Sequence, residues 1–349
     1  MNKYNGVHIS LYFHKGKKMG NPIIVEVMRG NIVESVHHGA FCVVDETGHI
    51  VKQYGDVQKE IFPRSAVKSM QALLFVESGA AGAFQMNEAE IALACSSHNS
   101  EALHVSTAQT MLQKAGLNED MLECGGYWQA DGDMLVREIS SPAEKASHNA
   151  CSGKHAAFLC NCQHLGYEKK GYIHSSHPLQ KQIADILTNV TLAHHGEETM
   201  AIDGCSLPTY AISLKAMAHG FARMISGVGL ETERAKAAHY IMQCCMNTPF
   251  HVAGTKRFDS DIMTLGKGKI FAKIGAEGIS CAALPTLGLG IAIKCEDGSI
   301  RGAKAMMAAL IAALLPQDDA LQEGLKTFSQ PLLKNANGLT VGQIKPVMV

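Results

Sequence analysis

Charge of one sign is missing from this chain: 31 Lys and Arg stand against 32 Asp and Glu, a formal net charge of −1 over 349 residues. No basic stripe or acidic run breaks that balance, which argues against nucleic acid or an anionic membrane surface as partner. No apolar run approaches the ~20 residues that a membrane helix needs. The first twenty residues, MNKYNGVHISLYFHKGKKMG, have no apolar centre followed by a small-residue cleavage site, so no signal peptide is expected. Proline is scarce, at 10 residues, and neither a low-complexity linker nor an internal repeat is found. The chain has no CxxC pair and no HExxH. Its eleven cysteines, an odd and scattered set, suit thiols in a reducing cytoplasm better than a disulfide scaffold. With 46% hydrophobic and 18% charged residues, the composition is that of an ordinary folded protein rather than a disordered one.

What is present falls into three stretches. Residues 1–20 read as an N-terminal extension ahead of a single catalytic domain, 21–349. Short β-rich runs follow: PIIVEVMR, NIVESVHH and AFCVVDETGHIVKQYG, the last a hairpin turning at Asp45 to Gly48. After Pro63 the period changes to helical through Ala66, Met70, Leu73 and Leu74, with Ser65 placed as an N-cap and Gly79 as the stop. Amphipathic helical patterns then dominate to about residue 268. The strand signal returns with KIFAKIG, GISCAAL and GIAIKCEDGSIRG, before a final helix in AKAMMAALIAALL. The expected fold is α+β: one antiparallel sheet from N- and C-terminal strands (about 21–62 and 269–349), with a mostly helical part (about 63–268) inserted between. A site is expected in the crevice between the two parts.

Three short blocks carry chemistry. Ser65 stands three residues before Lys68, one helical turn that puts both on the same face. Ser97-His98-Asn99 and Lys273-Ile274-Gly275 follow in chain order, so the set parallels the S-x-x-K, S-D-N, K-T-G pattern of penicillin-recognising enzymes, the second and third blocks not letter for letter. A serine hydroxyl attacks poorly until a base takes its proton, and lysine is such a base only as the neutral amine. Two lysines converging on one cleft depress each other's pKa and so meet that condition. Ser65–Lys68 and Ser97–Lys273 then form two coupled pairs, the second relaying a proton to the leaving group.

A further cluster comprises Cys151-Ser152-Gly153-Lys154-His155 and, some fifty residues on, Asp203 and Cys205. Two readings stand: buried reduced thiols, the commoner case, or a metal site such as zinc. Cys160 and Cys162, Cys244 and Cys245, and Met306-Met307 read as packing residues, and His37-His38 and His194-His195 as surface residues rather than ligands.

Together RSAVKSMQA, ACSSHNSE, NACSGKHAAF, AIDGCSLPTYA and AKIGAEG resemble blocks of the Rhizobium etli-type (class 3, asparaginase II-like) L-asparaginases, from about residue 22 to about 315. The resemblance implies a fold similar to the serine β-lactamases and glutaminases, and hydrolysis of L-asparagine to L-aspartate and ammonia by two Ser–Lys tandems, Ser65 with Lys68 and Ser97 with Lys273. It also implies a labile zinc held by Cys151, Lys154 and Cys205, with Asp203 beside it, and a homodimer. On that reading Arg64, His98, Asn99 and Asp203 are the substrate-contact candidates. Ala150 before Cys151 and Ser206 after Cys205 depart from the family blocks, and the N-terminal extension has no counterpart in them. The rivals are a glutaminase or penicillin-recognising hydrolase of the same fold, and a non-enzymatic zinc-holding or amino-acid-sensing protein.

Overall fold

The computed structural model describes residues 20–126 and 145–347; the expected N-terminal extension lies, but for Gly20, outside them. Eight strands form one sheet: β1 (Ile23–Arg29), β2 (Ile32–Val44), β3 (Ile50–Tyr54), β8 (Phe271–Gly275), β9 (Ile279–Leu284), β10 (Leu289–Cys295), β11 (Leu332–Lys334) and β12 (Thr340–Pro346). Their order is β11-β12-β1-β2-β10-β9-β8, with β3 also paired to β2, and every pairing is antiparallel. Four shorter strands, β4 (Glu60–Ile61), β5 (Met200–Ile202), β6 (Pro208–Tyr210) and β7 (Ile212–Ser213), make two small ribbons, β4 with β7 and β5 with β6. The chain is therefore α+β, with N- and C-terminal strands interleaved and helices between β4 and β8.

The strand runs ISCAAL and LGIAIKC do not alternate because both faces of the sheet are covered. All six residues of β9 are buried. Helix Leu214–Ser226 packs on β2, β9 and β10, and helix Ile300–Leu314 on β1, β9, β10 and β12. NIVESVHH and AFCVV are one strand, β2, thirteen residues long. Its far end turns where expected: Asp45 Oδ1 accepts from the Thr47 and His49 N–H groups at 2.9 and 3.0 Å, and Gly48 takes φ +88°.

Three sequence expectations are corrected. The helix in AKAMMAALIAALL is not the last element: Asp319–Ser329 and the β11–β12 hairpin follow, extending the sheet beyond β1. The turn signal was present in Asn337-Gly338, where Asn335 Oδ1 accepts from the Asn337 and Leu339 N–H groups. Ser65 is not an N-cap: the 3-10 turn Arg64–Val67 begins at Pro63, whose carbonyl accepts from the Ala66 N–H, and Ser65 Oγ is left uncommitted. Lastly, His37 and His195 are buried, because Asp297 binds the first ring at 2.6 Å and Tyr210 stacks edge-on against the second. Among the described residues no helix is long and apolar enough to cross a membrane. All eleven cysteines are free thiols, and all are buried.

Helix Glu88–Ala94 matters most for the site, because the chain leaves its C-terminus directly into Ser96 and Ser97. A capping box starts it: Asn87 Oδ1 accepts from the Glu90 N–H at 3.0 Å, and Glu90 Oε2 accepts from the Asn87 N–H at 2.7 Å. Replacing Asn87 by Ala is expected to cost about 1 kcal/mol of stability, read as a lower midpoint in urea unfolding with an unchanged slope.

Candidate active site

The Ser97 loop is held in place by backbone. Ser97, His98 and Asn99 donate their N–H groups to the carbonyls of Val252, Ala150 and Ala253, so the stretch lies extended between two other segments. Helix Ser152–Leu165 comes close to helix Glu88–Ala94 because residue 153 is glycine; a Cβ there would collide with the Leu93 carbonyl. That approach brings Cys151 alongside the turn that carries Lys68.

Lys68 and Lys273 are both fully buried, and both point at one hydroxyl. Each Nζ donates to Ser97 Oγ at 3.0 Å. Lys68 Nζ also donates to the Ser96 carbonyl and lies 3.1 Å from Cys151 Sγ. Lys273 Nζ also reaches the Ile274 carbonyl at 3.0 Å and Asp259 Oδ2 at 3.3 Å. Burial lowers the Lys273 pKa to about 8; Asp259 opposes that shift and Lys68 adds to it. Ser65, half-buried, is on the same turn as Lys68, but no hydrogen bond joins the two: Lys68 is spent on Ser97. The four expected catalytic residues are thus brought together, with Ser97 rather than Ser65 bonded to the lysines.

The turn of Ser65 abuts β8 closely. Arg64, immediately before it, has φ +52°, a left-handed conformation that costs a non-glycine residue energy and recurs at functional sites. The Arg64 guanidinium Nε donates to Asp203 Oδ1, so two of the substrate-contact candidates are paired with each other. Burial pushes the Asp203 carboxyl up, but Lys154 and Arg64 outweigh it and hold it below its ordinary value. His98 lies elsewhere: Nε2 bonds Ser152 Oγ at 2.9 Å, Nδ1 accepts from the Ser100 N–H, and the ring stacks on His104 at 5.0 Å. Both nitrogens are occupied, and burial holds its pKa well below the usual histidine range, so the ring is neutral. Asn99 faces the loop at Thr255, its Nδ2 donating to the Thr255 carbonyl at 3.4 Å, while its Oδ1 is buried without a partner.

The thiol cluster adjoins this centre. Lys154 Nζ is 3.4 Å from Cys205 Sγ, and Cys205 Sγ is 3.6 Å from Asp203 Oδ2. A hydrogen bond from Cys151, aided by the Lys154 charge and opposed by burial, lowers the Cys205 thiol to about 5, while that bond and burial push Cys151 up to about 12. Burial alone would lower the Lys154 pKa; Cys205, Cys151 and Asp203 more than reverse that and raise it. The two shifts favour a thiolate on Cys205 beside an ammonium on Lys154. Among the described residues no three His, Cys, Asp or Glu side chains are grouped to hold a metal ion, and the further donor beside the two cysteines is the Lys154 amine.

Sequence reading missed Asp259, the buried carboxylate against Lys273. Its only local signal is an acid in the first turn of helix Phe258–Gly266, which ordinarily reads as a dipole effect.

The L-asparaginase II family profile matches residues 25–346, nearly the whole chain, and takes in every residue of this centre. The chain belongs to the L-asparaginase II family. That membership supports an amidohydrolase acting on a small molecule. No curated protein matches the chain. Similar solved structures include Mglu in its native form (15% identity, 79% of this chain and 64% of that one, TM-score 0.44). A putative β-lactamase from Bacteroides dorei DSM 17855 is similar at 14% identity over 74% of this chain and 84% of that one, TM-score 0.39. A β-lactamase from Mycobacterium bovis follows at 12% identity over 79% and 94%, TM-score 0.39. The chain therefore spans just under two thirds of the length of the Mglu structure.

One geometric feature of the centre can be tested directly. Gly275 in β8 faces the Pro63 carbonyl, and an added Cβ would lie 2.5 Å from that oxygen. Gly275→Ala is expected to push the turn of Ser65 away from β8 and lower amide turnover at least about tenfold. Far-UV circular dichroism of the variant is expected to remain that of the parent; unchanged turnover would show that the contact does not set the site's geometry.

Proposed function

We propose that this protein is an L-asparaginase in which Ser65 attacks the side-chain amide of L-asparagine and two lysines manage the protons through Ser97. The observation that carries the reading is the Ser97 hydroxyl held 3.0 Å from each of two buried lysines, with Ser65, on the turn of Lys68, making no side-chain hydrogen bond among the described residues. With both lone pairs taken by ammonium donors, Ser97 Oγ is a poor nucleophile and a good relay, its own O–H left free to donate. Ser65 Oγ has no such occupation, and the amide nitrogens at the start of its turn, its own included, are available to an oxyanion.

Burial, aided by the Lys68 charge and opposed by Asp259, lowers Lys273 to about 8, so near that pH the centre loses one proton from Lys273. The proton left on Lys68 then crosses Ser97 to Lys273, and in this reactive form Lys68 is the neutral amine. It takes the Ser65 proton as Oγ bonds to the amide carbon. Ser97 O–H protonates the departing nitrogen while Lys273 returns a proton to Ser97 Oγ, and ammonia leaves. The proton now on Lys68 passes back through Ser97 to Lys273. Water then hydrolyses the aspartyl ester by the same relay in reverse. Arg64 is suited to the α-carboxylate of the substrate through the guanidinium N–H groups not given to Asp203, and Asp203 to the α-ammonium.

Zinc is part of the reading. The donors fit on one condition: the Cys151 and Cys205 sulfurs and the Lys154 amine can close around a zinc ion only once Lys154 gives up its proton. Bound there, zinc would supply fixed positive charge beside Asp203; the residues that move protons are the serines and lysines. The homodimer and the cytoplasmic location are carried as proposals on the family resemblance and the eleven free thiols.

A second reading has a specific observation behind it: Ser97, bonded to both lysines, is itself the nucleophile. Ammonia release separates the two. Ser65→Ala is expected to lose about a thousandfold or more in kcat with its fold intact, and Ser97→Ala about a hundredfold; near-normal turnover by Ser65→Ala would sink the first reading. L-asparagine is expected to outpace L-glutamine, and a chromogenic β-lactam to go unhydrolysed. Because the active form has lost one proton from the lysine pair, kcat/KM is expected to rise with pH along a limb near 8 and to level off above it.

A further inference from the structure

Asp259 is buried and sits in the first turn of helix Phe258–Gly266, against the open edge of β8. Its Oδ2 accepts from two consecutive residues of that strand, Lys273 Nζ at 3.3 Å and the Ile274 N–H at 3.0 Å. Its Oδ1 is buried and has no hydrogen-bond partner among the described residues. A buried carboxylate with one oxygen unsatisfied is costly, and such groups survive where they serve a site. The two lysines differ in this respect. Lys68 has a carbonyl, a hydroxyl and a thiol around it, whereas Lys273 has a carboxylate.

We propose that Asp259 is a positioning residue that aims Lys273 at Ser97 and draws onto Lys273 the proton that Ser97 relays, making Lys273 the proton donor behind the departing ammonia. The proposal rests on the Ser–Lys reading above and goes beyond it by giving the relay a direction. The two bonds from β8 fix the carboxylate relative to the strand, so the Lys273 side chain has one low-energy course, between Asp259 and Ser97. When Ser97 gives its proton to the leaving nitrogen, the N–H bond of Lys273 breaks and an O–H bond re-forms on Ser97, leaving a neutral amine against Asp259. The amine regains its proton from Lys68 through Ser97, and the cycle balances without any outside acid.

Several other groups face Lys273. Arg257, the N-cap of the same helix, and Lys68, from the turn of Ser65, disfavour its charge; Ser97 is a neutral partner. The Cys281 thiol of β9 and the Cys245 thiol of helix Thr232–Asn247 lie within electrostatic reach and are pushed far up by other effects, burial for Cys281 and a hydrogen bond with Cys95 for Cys245, so both stay neutral. Asp259 is the one carboxylate acting on Lys273 among the described residues.

The test combines steady-state ammonia release with the NMR titration of Lys273 in lysine-labelled protein, the resonance assigned by Lys273→Met. In Asp259→Asn the Lys273 midpoint is expected to fall by at least one pH unit, the limb of kcat/KM to move to lower pH with it, and plateau kcat to drop at least tenfold. Asp259→Glu is expected to restore both midpoint and limb to within half a unit. An Asp259→Asn protein that is folded and slow but has an unmoved midpoint and limb would overturn the proposal, since that is the behaviour of a merely structural carboxylate. If Asp259→Asn does not fold, Asp259→Ser takes its place: its midpoint and limb are expected to fall as for the amide, and a folded Asp259→Ser with both unmoved overturns the proposal. Failure of the parent to release ammonia from L-asparagine would contradict the asparaginase reading, while the NMR midpoint would still report on Asp259.

Discussion

Everything in the centre depends on one hydroxyl shared by two buried ammonium groups. Placing two lysines out of water is expensive, and placing them 3.0 Å from the same oxygen adds mutual repulsion. The fold meets that cost with oxygen acceptors: the Ser96 and Ser97 oxygens for Lys68, and Asp259, Ser97 and the Ile274 carbonyl for Lys273. Burial, with the repulsion of Lys68, is what lowers Lys273 to about 8 and lets the centre lose a proton near neutral pH.

The surrounding architecture can be understood as the means of holding that arrangement. The capping box at Asn87 and the close helix approach at Gly153 fix the end of helix Glu88–Ala94, and backbone bonds to Ala150, Val252 and Ala253 fix the three residues beyond it. The sheet supplies Lys273 from an edge strand, whose outer side is free to meet Asp259 and the turn of Ser65. Three of the eight non-glycine residues with positive φ among the described residues lie next to site residues, Arg64 (φ +52°), Ser100 (φ +62°) and Ser206 (φ +71°). The thiol cluster is joined to the centre by the contact of Lys68 with Cys151 and, through Asp203, by the ion pair to Arg64, so its occupancy and the chemistry at Ser97 are neighbours.

Much of this was legible in the chain. The helical spacing of Ser65 and Lys68, the polar break at Ser97 and the strand that begins before Lys273 led to Lys68, Ser97 and Lys273, which the structure joins by hydrogen bonds, and to Ser65 on the turn of Lys68, because each block joins a local signal to a chemical need. The interleaving of N- and C-terminal strands followed from where β-rich runs occur. Pairing did not follow. Spacing along a helix placed Lys68 beside Ser65, but a lysine side chain is long, and three acceptors outside its own turn claimed it. His98 was read as a substrate contact because it is polar and next to Ser97, yet packing against His104 and Ser152 turned it inward. Asp259 was invisible because its partner is 14 residues away across a strand–helix boundary, and no pattern of one sequence marks such a contact.

The most direct measurement of the central claim is the site of the covalent intermediate. Protein incubated with L-asparagine is quenched in acid within the first turnover, digested and mapped by mass spectrometry for an aspartyl ester. The account predicts the added mass on the peptide containing Ser65, and its loss in Ser65→Ala. An ester on Ser97, or turnover with no serine ester at all, would contradict it.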